Sequence, residues 1–353
     1  MFYFTVGPTQ EYPRFREFLA DALVKDIHSI SHRSPQFVDL FHSTTDSVRS
    51  LLRVSADRQV FFAGSATEWM ERCVQNMSAE RTLHFVSGTF AKRFYDFALA
   101  QGRDARKVDQ KPDGSFDIAD IPAEFVPEMI ALTHNETSNG TQLSEDLFVQ
   151  VRAAYPDALI ALDIVSSAPV HPDAFTSADV LFFSVQKGFG MPAGLGVALV
   201  SPRAIARSAE LAAQKNYTGA FHSFAKLSEY ALKGNTVETP NVLAIHILDA
   251  IARDLSAGGI ETLRAETTEK ASLIRTALAA SSETMLEDIA VPYQSQTVIV
   301  AKTPGGSKPL IDRLKGEGIT IASGYGAMKD THIRIGNFAA HTKADMERVA
   351  ALL

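Results

Sequence analysis

Val180-Leu-Phe-Phe-Ser-Val-Gln186-Lys187-Gly188-Phe-Gly190 carries the strongest structural signal in the chain. An apolar run ends in a lysine, and a glycine-rich turn leads into a second apolar run, Gly196-Val-Ala-Leu-Val200. Lysine is among the residues least often fully buried. One at the end of a buried strand needs a chemical reason, and Schiff-base chemistry with a carbonyl is a leading one. Upstream, the apolar run Ala158-Leu-Ile-Ala-Leu-Asp163 ends in an acid. The separation of Asp163 from Lys187 accommodates one turn, a short connection and one strand, which sets the two at neighbouring strand ends.

Further short apolar runs occur at Gln59–Ala63, Leu83–Val86 and Met129–Thr133. Helical patterns fall between them, at Glu68–Met77, Phe90–Leu99 and Glu145–Tyr155. Apolar strands alternating with helices predict an α/β fold with a mostly parallel sheet covered on both faces. Ligands of such sheets bind beyond the carboxyl ends of the strands, where Asp163 and Lys187 fall. After about residue 255 the texture becomes α+β. A long amphipathic helix, Ile260–Ala280, precedes strand-like Gln296–Ala301, a helix at Pro309–Gly316, strand-like His332–Ile335 and a terminal helix from Lys343. The expected division is a large domain of residues 16–254 and a smaller one formed by 1–15 with 255–353.

A chain of 353 residues can bury a large core, and 46% hydrophobic with 21% charged residues is typical of a soluble globular protein. A net charge of −7 argues against a nucleic-acid surface or an anionic membrane. The single cysteine, Cys73, rules out an intrachain disulfide framework. No apolar run has the length of a membrane span, and the N-terminus lacks the pattern of a signal peptide. The expected location is the cytoplasm. No His/Cys/Asp cluster has metal-ligand spacing. The glycines at 188, 190, 194 and 196 precede a strand rather than a helix and do not form a dinucleotide fingerprint.

An acid and a lysine closing successive buried strands suggest a pyridoxal phosphate site, and four pieces have candidates. The junction Gly64-Ser65-Ala66-Thr67, between a strand and a helix, would offer backbone N–H groups and a helix N-terminus to the phosphate. Asp163 would keep the pyridine nitrogen protonated. Phe90 would stack on the ring, and Lys187 would bond the cofactor and shuttle a proton at the substrate Cα. Taken singly, each has a plainer reading: an N-cap at Ser65 or Thr67, a turn aspartate, a core aromatic, a loop lysine. Taken together, the four are far more specific.

With those residues in hand, the chain resembles the class V aminotransferases of the fold-type-I pyridoxal phosphate enzymes. The resemblance runs nearly end to end through Thr5-Val-Gly7-Pro8-Thr9, Ser31-His32-Arg33-Ser34-Pro35-Gln36-Phe37 and Gly64-Ser-Ala-Thr-Glu68. It continues through His134-Asn135-Glu136-Thr137-Ser138-Asn139-Gly140, Asp163-Ile-Val-Ser166-Ser167, Ser184-Val-Gln186-Lys187 and Arg334-Ile-Gly-Asn337. It implies that Lys187 is the Schiff-base lysine and Asp163 the pyridinium partner. By the same resemblance Ser65, Ala66 and Gln186 hold the cofactor phosphate, beside Thr67. Phe90 stacks on the ring and Thr137 bonds the 3′-oxygen. Arg334 clamps the substrate α-carboxylate, and His32-Arg33 binds a side-chain phosphate. Thr239 reaches the cofactor phosphate across a homodimer.

Two branches of the family compete. Asn135-Glu136-Thr137, Gln186-Lys187 and Arg334-Ile-Gly-Asn337-Phe-Ala-Ala340 are similar to the phosphoserine branch, acting on an amino acid and a keto acid. Gly64-Ser-Ala-Thr-Glu-Trp-Met-Glu71 and Ser34-Pro35-Gln36-Phe37 are similar to the alanine– and serine–glyoxylate branch. Two departures stand out. Gly326-Ala327-Met328-Lys329 replaces a His-Arg pair that the phosphoserine branch supplies, and Glu238-Thr239-Pro240 replaces an Asn-Thr-Pro. Glu238 beside a phosphate is tolerated only if turned away. The implied activity is transamination with 2-oxoglutarate as acceptor. The rivals are a glyoxylate-type aminotransferase, a desulfurase-like lyase that would need Cys73 to be mobile, and a catalytically silent binding protein of the same fold.

Overall fold

The computed structural model describes residues 1–122 and 124–353. The chain opens with β1 (Phe2–Phe4), α1 (Phe15–Val24) and α2 (Pro35–Leu52). It then alternates through β2 (Gln59–Ala63), α3 (Ala66–Met77), β3 (Arg81–Val86), α4 (Thr89–Ala100) and β4 (Asp104–Asp109). Next come β5 (Met129–Thr133), β6 (Asn135–Glu136), β7 (Thr141–Gln142), α5 (Glu145–Ala154), β8 (Leu159–Asp163), β9 (Val180–Ser184) and β10 (Gly196–Val200). Four helices follow: α6 (Pro202–Ala213), α7 (Phe224–Ala231), α8 (Val242–Gly258) and α9 (Ile260–Ala280). The chain ends in β11 (Met285–Leu286), β12 (Val298–Lys302), α10 (Ser307–Gly316), β13 (Ile319–Ser323), β14 (His332–Gly336) and α11 (Lys343–Ala350).

Seven strands form the larger sheet in the order β2-β10-β9-β8-β5-β3-β4. All neighbours pair parallel except β10, which runs antiparallel to both β2 and β9. Every residue of β5, β8 and β9 is buried, as continuous apolar runs in a doubly covered sheet require. Successive residues feed opposite cores: Phe62, Ile160 and Leu181 pack on one face with α2 and α8, whereas Phe61, Ala161 and Phe182 pack on the other with α3 around Trp69. Because β10 is reversed, its first residue, Gly196, lies beside the carboxyl ends of β2 and β9. The end of β2, the end of β8 and the turn after β9 therefore converge on one edge.

Five strands form the second sheet, β1-β13-β14-β12-β11. Its apolar face, with Ile299, Ile321, Ile333 and Ile335, packs on Ala271, Ile274 and Leu278 of α9. No described helix is long and apolar enough to cross a membrane.

Among the described strands, β4, β1 and β13 are the longest that escape the hydrophobic pattern, beside the two-residue β6, β7 and β11. Asp104-Ala-Arg-Lys-Val-Asp109 buries only Ala105 and Val108. It is the outer strand of its sheet, where charge guards an exposed edge and masks the strand signal. β1 has only three residues, and β13 is half-polar.

Candidate active site

A cavity of about 280 Å³ opens at the carboxyl ends of the larger sheet, with Arg334 from β14 closing one side. Ser65, Ala66, Thr67, Phe90, Thr137, Asp163, Gln186, Lys187 and Arg334 all line it. A larger recess of about 600 Å³ shares Asn135 with this cavity but contains none of the predicted site residues.

Ser65 is the N-cap of α3, its hydroxyl accepting from the Glu68 N–H at 3.3 Å. The helix thereby points its N-terminus and its remaining unpaired donors at the cavity. Gly196 lets β10 approach this turn closely: a Cβ there would lie 2.3 Å from the Ser65 carbonyl carbon and 2.8 Å from the Ala66 nitrogen. Gln186 brings an amide whose oxygen is buried without a partner.

Asp163 and Lys187 are 3% and 7% exposed. Asp163 Oδ1 accepts from the Val165 N–H at 2.8 Å, and no other donor among the described residues holds the carboxylate. Burial raises its pKa above the usual carboxylate range; the Val165 N–H and Lys187 oppose the shift and Glu136 adds to it. Burial likewise lowers the Lys187 pKa, against the pull of Asp163 and Glu136, and Arg334 adds to the lowering. A lysine eased toward its neutral form is a better nucleophile and proton acceptor. Its Nζ donates to Thr137 Oγ1 at 2.8 Å and lies 5.3 Å from the Phe90 ring centroid.

Arg334 is 8% exposed. Its Nε donates to the Ser323 carbonyl at 2.8 Å and one terminal nitrogen to the Thr137 carbonyl at 3.2 Å. The guanidinium lies 5.3 Å over the Tyr325 ring, which is tilted against Phe90 at 5.4 Å. No carboxylate among the described residues is ion-paired with it, so a buried cation faces the cavity with its charge uncompensated. Such a group costs free energy unless an anion arrives.

Glu136 carries a role that its motif alone did not reveal. Fully buried, its Oε2 accepts from the Phe90 and Ala91 N–H groups, both at 3.0 Å, at the start of α4. Its Oε1 accepts from the Ser138 N–H and hydroxyl at 3.0 and 2.6 Å. A carboxylate on a helix N-terminus is favourable, and this one fixes where Phe90 stands. Tyr325 was likewise missed, because an aromatic in a loop after β13 gives no signal of packing against Phe90 of α4.

His32, Arg33 and Thr239 do not line this cavity. Arg33 and Thr239 are exposed and His32 is partly so, with burial and then Arg33 lowering the His32 pKa against the pull of Glu238. Glu238 is turned to His222, with Oε2 3.3 Å from Nε2, while Glu68 pairs with Nδ1 of the same ring. Ala327 and Lys329 are exposed. Cys73 is fully buried in α3, and desolvation pushes its thiol pKa well up, leaving no mobile nucleophile. Among the described residues no group of three His, Cys, Asp or Glu side chains could hold a metal ion.

The site fits pyridoxal phosphate. The helix N-terminus behind Ser65 and the Gln186 amide suit a phosphate, the free side of Asp163 a pyridine nitrogen, Phe90 a ring face, and Lys187 an aldehyde carbon.

A sequence model of the class-V aminotransferases matches residues 5–349. The chain is 37% identical to the crystal structure of a phosphoserine aminotransferase from Cytophaga hutchinsonii, at a TM-score of 0.95, covering 100% of this chain and 98% of that one. A protein of Mycolicibacterium vanbaalenii, provisionally named a phosphoserine aminotransferase, is 27% identical over 357 residues, 99% of this chain and 93% of the relative. An alanine–glyoxylate aminotransferase from Nostoc sp. superposes with a TM-score of 0.80 at 20% identity, over 100% of this chain and 94% of that one. At that identity the likeness is one of fold alone. The expectation of a fold-type-I aminotransferase architecture is met.

Proposed function

Because this chain belongs to the class-V aminotransferase family and is a pyridoxal-phosphate-dependent aminotransferase, we propose that it transfers the amino group of phosphoserine to 2-oxoglutarate. The observation that carries amino-acid chemistry is the pairing, in one cavity, of buried Lys187 with a buried Arg334 that has no anionic partner. The choice of phosphoserine rests on the likeness to the Cytophaga hutchinsonii enzyme, which extends over the whole chain.

When bound, the cofactor supplies an electron sink for the charge that develops at the substrate Cα. Asp163 would hold the ring nitrogen in its protonated state, and Ser65, Ala66, Thr67 and Gln186 would hold the phosphate. Phe90 would cover one ring face, with Glu136 fixing its helix, and Thr137 would bond the 3′-oxygen. Arg334 would take the α-carboxylate in its planar fork, which orients Cα toward Lys187. The Lys187 amine would then remove the Cα proton and return it on the other side of the transfer. Burial favours its neutral form, which suits the task.

His32, Arg33 and Thr239 would act across a homodimer. What supports this is that none of the three lines the cavity of its own chain and that two of them are exposed. On this reading they complete the cavity of a second copy, with His32 and Arg33 on the substrate phosphate. The division into residues 16–254 and residues 1–15 with 255–353 is supported by the separate hydrophobic clusters of the two sheets. A cytoplasmic location suits a substrate pair of small metabolites. A glyoxylate-type enzyme would share the same cofactor residues and differ in its amino donor.

The test is glutamate formation from phosphoserine and 2-oxoglutarate by purified protein, with Lys187→Ala as control. The proposal expects turnover that the variant lacks. Absence of glutamate with the cofactor bound would refute it.

A further inference from the structure

Arg93 is a cation in the active cavity with no assigned task. It lies on α4 one helical turn beyond Phe90, so the two side chains share a face. Its guanidinium sits 5.1 Å over the Phe90 ring, and it lines the same cavity as Lys187 and Arg334. Its neighbour Lys92 turns to solvent and pairs with Asp96 at 2.7 Å. Arg93 has neither an ion pair nor a hydrogen bond to any described residue, although Asp96 stands three positions on. Stacking on an aromatic face holds a guanidinium in place while leaving its in-plane donors free.

The aromatic pair Phe90–Tyr325 thus carries one unpaired arginine on each member, Arg93 by Phe90 and Arg334 by Tyr325. One arginine suffices for an α-carboxylate. A second one, preorganised in the same small cavity, suits a second negative group on the same molecule. The cofactor phosphate already has the α3 N-terminus and Gln186.

We infer that Arg93 is a specificity-determining residue that receives the distal anionic group of dianionic substrates, the phosphate of a phosphorylated amino acid or the side-chain carboxylate of a dicarboxylic one. The inference rests on the proposed function for its substrate class, but it concerns the residue. Arg93 would complement, within one chain, the His32-Arg33 pair presented by the other.

The experiment compares wild type, Arg93→Gln and Arg93→Lys, each saturated with pyridoxal phosphate, in single half-reactions with phosphoserine, glutamate and alanine. Arg93→Gln should lower the efficiency with phosphoserine and glutamate by about 10- to 100-fold, as loss of a charge-assisted anion contact does. It should change alanine by less than about 2-fold and leave the cofactor dissociation constant in place, and Arg93→Lys should recover part of the loss. A parallel loss for alanine, or a weakened cofactor with an unchanged dianion-to-alanine ratio, would overturn the assignment. If wild type favours glutamate but not phosphoserine over alanine, the phosphoserine reading fails while the glutamate ratio still decides Arg93. A wild type that favours neither dianion overturns both.

Discussion

Lys187 Nζ donates to Thr137 Oγ1 at 2.8 Å, while the carbonyl of the same threonine accepts from Arg334 at 3.2 Å. One residue thus spaces the Lys187 amine from the Arg334 guanidinium. On its other side the lysine stem is packed against Gly7, where a Cβ would lie 2.7 Å from Lys187 Cε. Gly7 has a φ of 130°, a conformation that suits glycine. The lysine is held from two directions before any ligand arrives.

Thr137→Val keeps the volume and the carbonyl but removes the hydroxyl. One hydrogen bond to an amine contributes about 1–1.5 kcal/mol, so kcat should fall roughly 10-fold with little change in KM, because Arg334 keeps its contact. Thr137→Ser should restore the rate. Steady-state kinetics on the three proteins check this, and a valine variant at wild-type rate would show that the hydroxyl does not position the amine.

Gly196→Ala tests the phosphate turn. The new methyl would meet backbone rather than a flexible side chain, at 2.3 Å from the Ser65 carbonyl carbon. Relief requires the Ser65 turn to move, at a cost of roughly 1–3 kcal/mol. Cofactor affinity should fall about 10-fold or more in a titration of the apoprotein, with a lower melting temperature. Unchanged affinity would mean that the turn does not hold the phosphate.

His222 bridges two carboxylates. Burial lowers its pKa, but Glu238 and Glu68 outweigh that and raise it from 6.5 to about 9. Arg72, 3.6 Å from Glu68, is the other charge at this bridge. Since the folded imidazole holds its proton more tightly than the unfolded one, its stabilisation is complete below about pH 6.5 and is lost as pH rises through about 9. Between pH 6 and 9.5 the wild type should lose roughly 2 to 4 °C more in melting temperature than His222→Gln. Parallel curves would rule the bridge out.

Much of this site was legible in the chain itself. Lys187 and Asp163 announce themselves because charge at the end of an apolar run is costly without a purpose, and the turn at Ser65 follows from small residues between a strand and a helix. Glu238 was legible as an anomaly, and its pairing with His222 gives the physical reason it is tolerated. Arg93, Tyr325 and Glu136 were not. Arg93 is one of many helical arginines, and only its missing partner sets it apart. Tyr325 reaches the cavity from the second sheet, and the carboxylate of Glu136 is spent on a helix start 45 residues upstream of it. Those facts depend on long-range packing, which local pattern does not encode. The strand at Asp104–Asp109 was hidden for a related reason, since an edge strand is selected for charge.

Whether phosphoserine is the amino donor is decided by one side-by-side measurement. The cofactor-loaded protein is mixed with phosphoserine, alanine or serine in the absence of any keto acid, and the loss of the cofactor's yellow colour is followed in a single turnover. A phosphoserine donor should discharge the colour with an efficiency at least about 100-fold above alanine, the worth of two further charge-assisted contacts, and Lys187→Ala should not react. Phosphoserine no faster than alanine would contradict the assignment of the donor.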